Sequence, residues 1–232
     1  YMVFFIQKII MTKHLIFDSG PLINFALNGL LPLLIKLKKE FKGEFLITKE
    51  VKREIIDYPE TTKKYALEAV QLKELFDKGI IKHADITNEQ VDELRNKREE
   101  IMNVANTTFY SKNKDIHLLD KGECASMALS KIMNCDCALV IDERTARMIC
   151  ENPENLRKLL QKKLHTPITV NKKNYDFFKD FKVIRSTELI YIAHKKGLIE
   201  FKDPKAYEAM LYAMKFKGCS ISDEEIEEMK KF

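Results

Sequence analysis

The sequence predicts an α/β fold of three layers, helix over sheet over helix, around a central and mostly parallel sheet, with extra helices added. Three observations carry that prediction. The runs Leu15-Ile16-Phe17, Phe45-Leu46-Ile47 and Ala138-Leu139-Val140-Ile141 are continuously apolar and too short for helices, as strands covered on both faces are. Segments with apolar residues at helical spacing alternate with them, and that alternation builds a parallel sheet flanked by helices. The composition agrees: 45% of the 232 residues are hydrophobic and 32% charged, with only 7 glycines, which suits a helix-rich globular chain with a sizeable core.

Residues 1–11, YMVFFIQKIIM, form an apolar N-terminal extension, either an edge strand or a loose segment, with Met11 a candidate start of the folded part. The extension lacks a basic leader and a small-residue cleavage site, so no signal peptide is expected. His14-Leu15-Ile16-Phe17 is the first strand and ends in Asp18. Ser19 suits the cap of the next helix and Pro21 its first turn. That helix carries Leu22, Ile23, Phe25 and Ala26 and breaks at Asn28-Gly29; a second apolar helix covers Leu30 to Lys39. After the strand Phe45-Leu46-Ile47, Thr48 caps a helix from Lys49 to Asp57 with Val51 and Ile55 on its inner stripe, and Pro59 is expected to end it. Glu54 lies one residue off that stripe, within the first two turns.

Residues 60–78 have the pattern of a helix closed by Gly79, and Ile80-Ile81 that of a short strand. Thr87 and Gln90 make a capping box for a polar helix reaching Ala105, and 106–115 is a polar loop. The 60–115 stretch is poor in apolar groups and is expected to be a helical insertion or flap on a domain spanning 12–200. Asp120 and Glu123 form another capping box, opening a helix with Ala125, Ala128, Leu129 and Ile132 on one stripe. The strand Ala138–Ile141 ends in Asp142, and Glu143-Arg144-Thr145-Ala146-Arg147 enters the next helix. Residues 166–170 are a strand or a loop, and Phe181-Lys182-Val183-Ile184 a further strand. Ser186 or Thr187 caps the helix Glu188 to Lys196. Asp203-Pro204 opens one through Phe216, and Ser222 with Glu225 caps the last. Residues 201–232 are expected to be a C-terminal helical appendage.

Several chemistries are disfavoured. The 5 cysteines are odd in number and include no C-x-x-C, and the 5 histidines are scattered, so no zinc site is assigned and reduced thiols in the cytoplasm are the expectation. No stretch has the length of a membrane span. A Walker P-loop, G-x-G-x-x-G and G-x-S-x-G are all missing. The net charge of +5 is compatible with a polyanionic partner without requiring one.

The candidate site consists of acids. Asp18 and Asp142 each follow a buried strand, which puts both at the carboxyl rim where open α/β sheets bind ligands. Glu54 and Glu123 lie near the starts of helices leaving that rim. A bland explanation exists for each: a turn after a strand for the aspartates, a helix surface for Glu54, a capping box for Glu123. If the four converge, two carboxylates about 4 Å apart repel by roughly 4 kcal/mol at an effective dielectric near 20. Either some stay protonated or a divalent cation sits among them, and all-oxygen ligands favour Mg²⁺ or Mn²⁺.

The residues that carry these acids resemble those of the PIN domain family, which includes prokaryotic toxin ribonucleases and RNA-processing nucleases. The segment LIFDSGPLINF is similar to the family's strand-borne Asp followed by a small hydroxyl residue. ITKEVKREI resembles its second acidic motif, LDKGECASMALS its third and CALVIDERTAR its fourth; RSTELIYIAHKKGLI is similar to the tail of one prokaryotic subgroup. The resemblance spans about residues 12–200. It implies metal-assisted hydrolysis of single-stranded RNA, with Asp18, Glu54, Glu123 and Asp142 as metal-coordinating acids and Mg²⁺ or Mn²⁺ as cofactor. It further implies that Ser19 bonds a ligand or metal-bound water, that Arg144 touches a phosphate, and that Glu143 is an auxiliary acid. Candidate partners on this basis are RNA, an antitoxin protein of a toxin–antitoxin pair, and a second copy of the chain in a homodimer. The 60–115 segment and the helices after 200 depart from a compact toxin. Two other functions remain as alternatives: a non-catalytic RNA- or protein-binding module, and a haloacid-dehalogenase-like phosphatase, which Asp18-Ser19-Gly20 disfavours because no second Asp follows.

Overall fold

The computed structural model describes residues 12–112, 114–133 and 136–231; the extension 1–11 and Cys135 lie outside them. Five strands form a central parallel sheet: β1 (His14–Phe17), β2 (Glu44–Ile47), β3 (Lys82–His83), β6 (Cys137–Val140) and β8 (Val183–Ile184). Their order is β3-β2-β1-β6-β8 and every neighbouring pair is parallel. The chain thus starts in the middle, builds one half outward, then returns to build the other. The switch lies between β1 and β6, where Phe17 pairs with Val140.

Alternation along the strands assigns the two cores. Leu15, Phe17, Phe45, Ile47, Ala138 and Val140 face one, while Ile16, Leu46, Leu139 and Ile141 face the other. Helices cover both, which is why these strands carry no polar face. The first core takes α1 (Ser19–Leu27), α2 (Leu31–Glu40), a helix over residues 49–60 (α3), α4 (Ala66–Asp77), α10 (Ser186–Lys195), α11 (Ala206–Phe216) and α12 (Asp223–Lys231). The second takes α5 (Asn88–Asn106), α6 (Lys121–Ile132), α7 (Arg144–Glu151), α8 (Pro153–Leu164) and the short α9 (Tyr175–Phe178).

Five expectations are corrected in detail. Pro59 does not end α3: residues Arg53–Asp57 form a π turn, with the Tyr58 amide bonded to the Arg53 carbonyl, and the helix continues to Glu60. The 60–115 stretch is no free flap, since Ile101 and Ala105 of α5 are fully buried beside α6. Its expected terminal loop contains β4 (Phe109–Ser111) and β5 (Lys114–Asp115), which with β7 (Ile168–Val170) make a second, antiparallel sheet. Of the expected appendage 201–232, the described residues 201–231 are built into the first core through Leu211, Met214 and Ile226, all fully buried, rather than appended to it. The third strand occupies Lys82–His83, one step beyond Ile80-Ile81.

Candidate functional site

The site begins with the backbone. Asp18 leaves β1 with its amide bonded to the Val140 carbonyl (3.0 Å), and it caps α1. Its side chain is buried and, among the described residues, accepts only from the backbone amides of Ser19 and Gly20. Gly20 follows where the two strands converge: a Cβ on it would lie 3.7 Å from Asp18 Oδ2 and 3.9 Å from Asp142 Cβ. The two aspartates therefore do share the carboxyl rim of the sheet.

Glu123 enters from α6. Its capping box with Asp120 is complete: Asp120 N donates to Glu123 Oε2 (2.8 Å) and Glu123 N to Asp120 Oδ1 (2.9 Å). The box and the acid cluster are not alternatives, because one oxygen serves the cap while the carboxylate still faces Asp18. Glu54 comes from the π turn of α3, a distortion often found at functional sites. It stands at the solvent mouth of the cluster. A Cβ on Gly122 would lie 2.9 Å from Glu54 Oε1 and 3.4 Å from Asp120 Oδ1, so the bare glycine lets these carboxylates approach α6.

The electrostatics follow from that crowding. Burial pushes the Asp18 carboxyl up to about 7, with the charges of Asp120 and Glu54 adding to the shift against the pull of its backbone hydrogen bonds. Burial pushes Glu123 up to about 9, helped by Asp120, Asp18 and Glu143. Glu54 is raised by desolvation and by Asp120 and Glu50, while a hydrogen bond from the Ser19 side chain opposes the shift. Among the described residues, no Lys, Arg or His forms an ion pair with Asp18, Glu54, Asp120, Glu123 or Glu143. The hydroxyl of Ser19, expected to meet a ligand, is thus used on Glu54.

Asp142 is different. Its Oδ1 accepts from Ser186 N (2.8 Å), and its Oδ2 from Asn24 Nδ2 (2.6 Å) and Ser186 Oγ (2.8 Å). Its backbone carbonyl also accepts from Ser220 N (3.0 Å). The carboxylate is buried and ties α1, α10 and the 217–222 turn to the end of β6. Burial raises its pKa, and these hydrogen bonds oppose the rise. Of the four acids expected at a common centre, Glu54 and Glu123 lie within electrostatic reach of Asp18, each of the three only partly bonded, and Asp142 sits beside them with its oxygens taken. Ser186, expected as a helix cap, serves Asp142; at the start of α10 the Glu188 carboxylate instead accepts from the Arg185 backbone amide (2.6 Å) and pairs with its guanidinium.

Asp120 is the member that sequence reasoning passed over, because its capping role accounted for it. The signal available was the glycine two residues on, which no helix needs at that position. Arg144 does not point a free guanidinium at the cluster; its Nε donates to Ser220 Oγ (2.7 Å). Glu143 caps α7 through the Ala146 amide (2.8 Å).

The donor set is chemically suited to a hard dication: carboxylate oxygens only, two of them buried, with no cation of the protein's own. As placed, however, no three His, Cys, Asp or Glu side chains among the described residues surround a common point that could hold a metal ion. No helix among them is long and apolar enough to cross a membrane. Compared with known proteins, the chain matches no family model, no curated protein and no solved structure.

Proposed function

We propose that the protein is a metal-dependent ribonuclease that hydrolyses phosphodiester bonds of single-stranded RNA at the carboxyl rim of its sheet, in the cytoplasm. The observation that supports this most is the gathering of Asp18, Glu54, Asp120 and Glu123 without a balancing cation. A protein keeps so costly a cluster where something cationic binds. Asp18 and Glu123 would hold Mg²⁺ or Mn²⁺ from the buried side, with Glu54 and Asp120 closing from the solvent side. A bound dication supplies Lewis-acid stabilisation of a phosphodiester oxygen and a more acidic water. The chain's own residues do the rest: Ser19 orients Glu54, Gly20 and Gly122 leave room beside the acids, and Asp142 holds the rim in register.

The toxin role, with an antitoxin partner and a homodimer, rests on the PIN-like motifs alone. The raised carboxyls of Asp18 and Glu123 favour a second reading, a non-catalytic binding module whose acids stay protonated. Titration with Mn²⁺ separates the two. The nuclease reading expects a rise in melting temperature with Mn²⁺ and cleavage of a mixed-sequence single-stranded RNA, both lost in Asp18→Asn. A wild type that neither binds Mn²⁺ nor cuts RNA leaves the binding module.

A further inference from the structure

Two cavities open on the same rim as the acids, one on each flank, and their charges differ. On the β8 side, a cavity of about 500 Å³ is lined by three arginines (Arg144, Arg147, Arg185) and four glutamates. The arginines are largely consumed there, as Arg185 pairs with Glu188 and Glu225, and Arg147 with Glu151 and Glu225. This flank offers an anion no surplus charge. On the β2–β3 side, a cavity of about 410 Å³ lies between the start of α3, the end of β3 and α5. Its charged lining is Lys49, Arg95 and Arg98 against the single carboxylate of Glu50. Arg98 is consumed by Glu50 and Glu99, and Arg95 reaches Asp92 only in a long, exposed pair (3.4 Å), so Lys49 and Arg95 carry the charge this cavity can offer an anion.

The second cavity also has an apolar floor, made by Ile47, Val91, Leu94 and Leu129. Val91 and Leu94 are half-buried, so α5 leaves part of its apolar face in the cavity. His83 joins the wall with its ring held, Nδ1 lying 3.1 Å from the Ile47 carbonyl oxygen and the ring in a T-shaped pair with Phe76. The volume lies within the range of small-ligand sites, about 300–1,000 Å³. The cavity and the acid cluster share α3: Glu50 lines the cavity, and one turn on, Glu54 feels the Glu50 charge. A partly apolar cavity with a cationic rim, one helical turn from the acids, suits an unpaired nucleotide with its base inside and its phosphate at the edge.

We infer that this cavity is a nucleotide subsite, in which α5 and the start of α3 seat one base of a single-stranded RNA whose backbone runs on to the acid cluster. Lys49 and Arg95, both exposed, take the phosphate; Leu94 and His83 take the base. The inference rests on the proposed function for its choice of RNA, but it requires no cleavage. The test is fluorescence anisotropy of a labelled single-stranded RNA decamer in EDTA, where hydrolysis cannot intervene. Lys49→Glu/Arg95→Glu should weaken binding about tenfold or more and flatten the salt dependence by about two ions. Leu94→Trp, which fills the cavity, should weaken it about tenfold with the salt dependence unchanged. Lys205→Glu, an exposed lysine elsewhere, controls for net charge and should change binding less than about twofold. The inference is overturned if the decamer does not bind, or if the cavity variants bind like wild type. Cleavage with Mn²⁺ is scored separately. Binding lost in the cavity variants of a protein that never cleaves would sink the nuclease and keep the subsite; cleavage and binding unchanged in them would do the reverse.

Discussion

Asp18 and Asp142 end neighbouring parallel strands, are both buried, and flank the same glycine, yet they have opposite surroundings. Asp142 receives three hydrogen bonds from Asn24 and Ser186. Asp18, among the described residues, receives only its own helix-start amides and faces other acids. Strand position delivers an acid to the rim; its partners decide whether it serves as a joint or remains open for a ligand. This contrast yields a graded set of tests.

The largest effect is expected on activity. Asp18→Asn should lower RNA cleavage in Mn²⁺ at least a hundredfold, about 2.7 kcal/mol or more of transition-state stabilisation, with the circular dichroism spectrum unchanged. Asp142→Ala should act mainly on stability instead. It strands the Asn24 amide and the Ser186 hydroxyl in a buried site, at a cost of about 2–4 kcal/mol, so the midpoint in urea should drop clearly. If Asp142→Ala unfolds like wild type, the joint role is wrong.

The pH dependence sharpens the same contrast. Asp18 and Glu123 bind protons more tightly folded than unfolded, so their stabilising protonation is fully present near pH 4 and is lost as pH rises through about 7 and about 9. The melting temperature without metal should therefore fall between pH 5 and pH 9 if these groups dominate, a range bracketed by about 4 for free carboxyls. Asp18→Asn should flatten the lower part of that slope, and saturating Mn²⁺ should offset it; a profile identical in wild type and variant contradicts the raised Asp18 carboxyl. The smallest effect is at Gly122. Alanine there gains helix propensity, about 0.5–1 kcal/mol, but its methyl would displace Glu54. Gly122→Ala should melt slightly higher and cleave RNA about three- to tenfold more slowly, a loss near 1 kcal/mol.

Much of the fold was legible because burial on both faces leaves a strong mark. The core strands β1, β2 and β6 are apolar runs, and a run of four apolar residues has few other fates. The caps at Thr48, Thr87 and Asp120 were equally readable, since a cap is a contact between residues three apart. The misses share a cause. Pro59 reads as a stop because local rules assume α-helical bonding, whereas the π turn moves those bonds by one residue. Residues 201–232 looked peripheral because their apolar stripes do not say what they pack against.

By itself, then, the sequence determined the α/β class, the strand ends bearing Asp18 and Asp142, and the helix starts bearing Glu54 and Glu123. All of these depend on neighbours within a few residues. The tertiary structure decided that Asn24 and Ser186 claim Asp142, that Asp120 joins the open acids, and that α5 walls a cavity beside them. These outcomes depend on side chains from distant segments competing for the same oxygens and the same space. No local pattern records which of them arrives first.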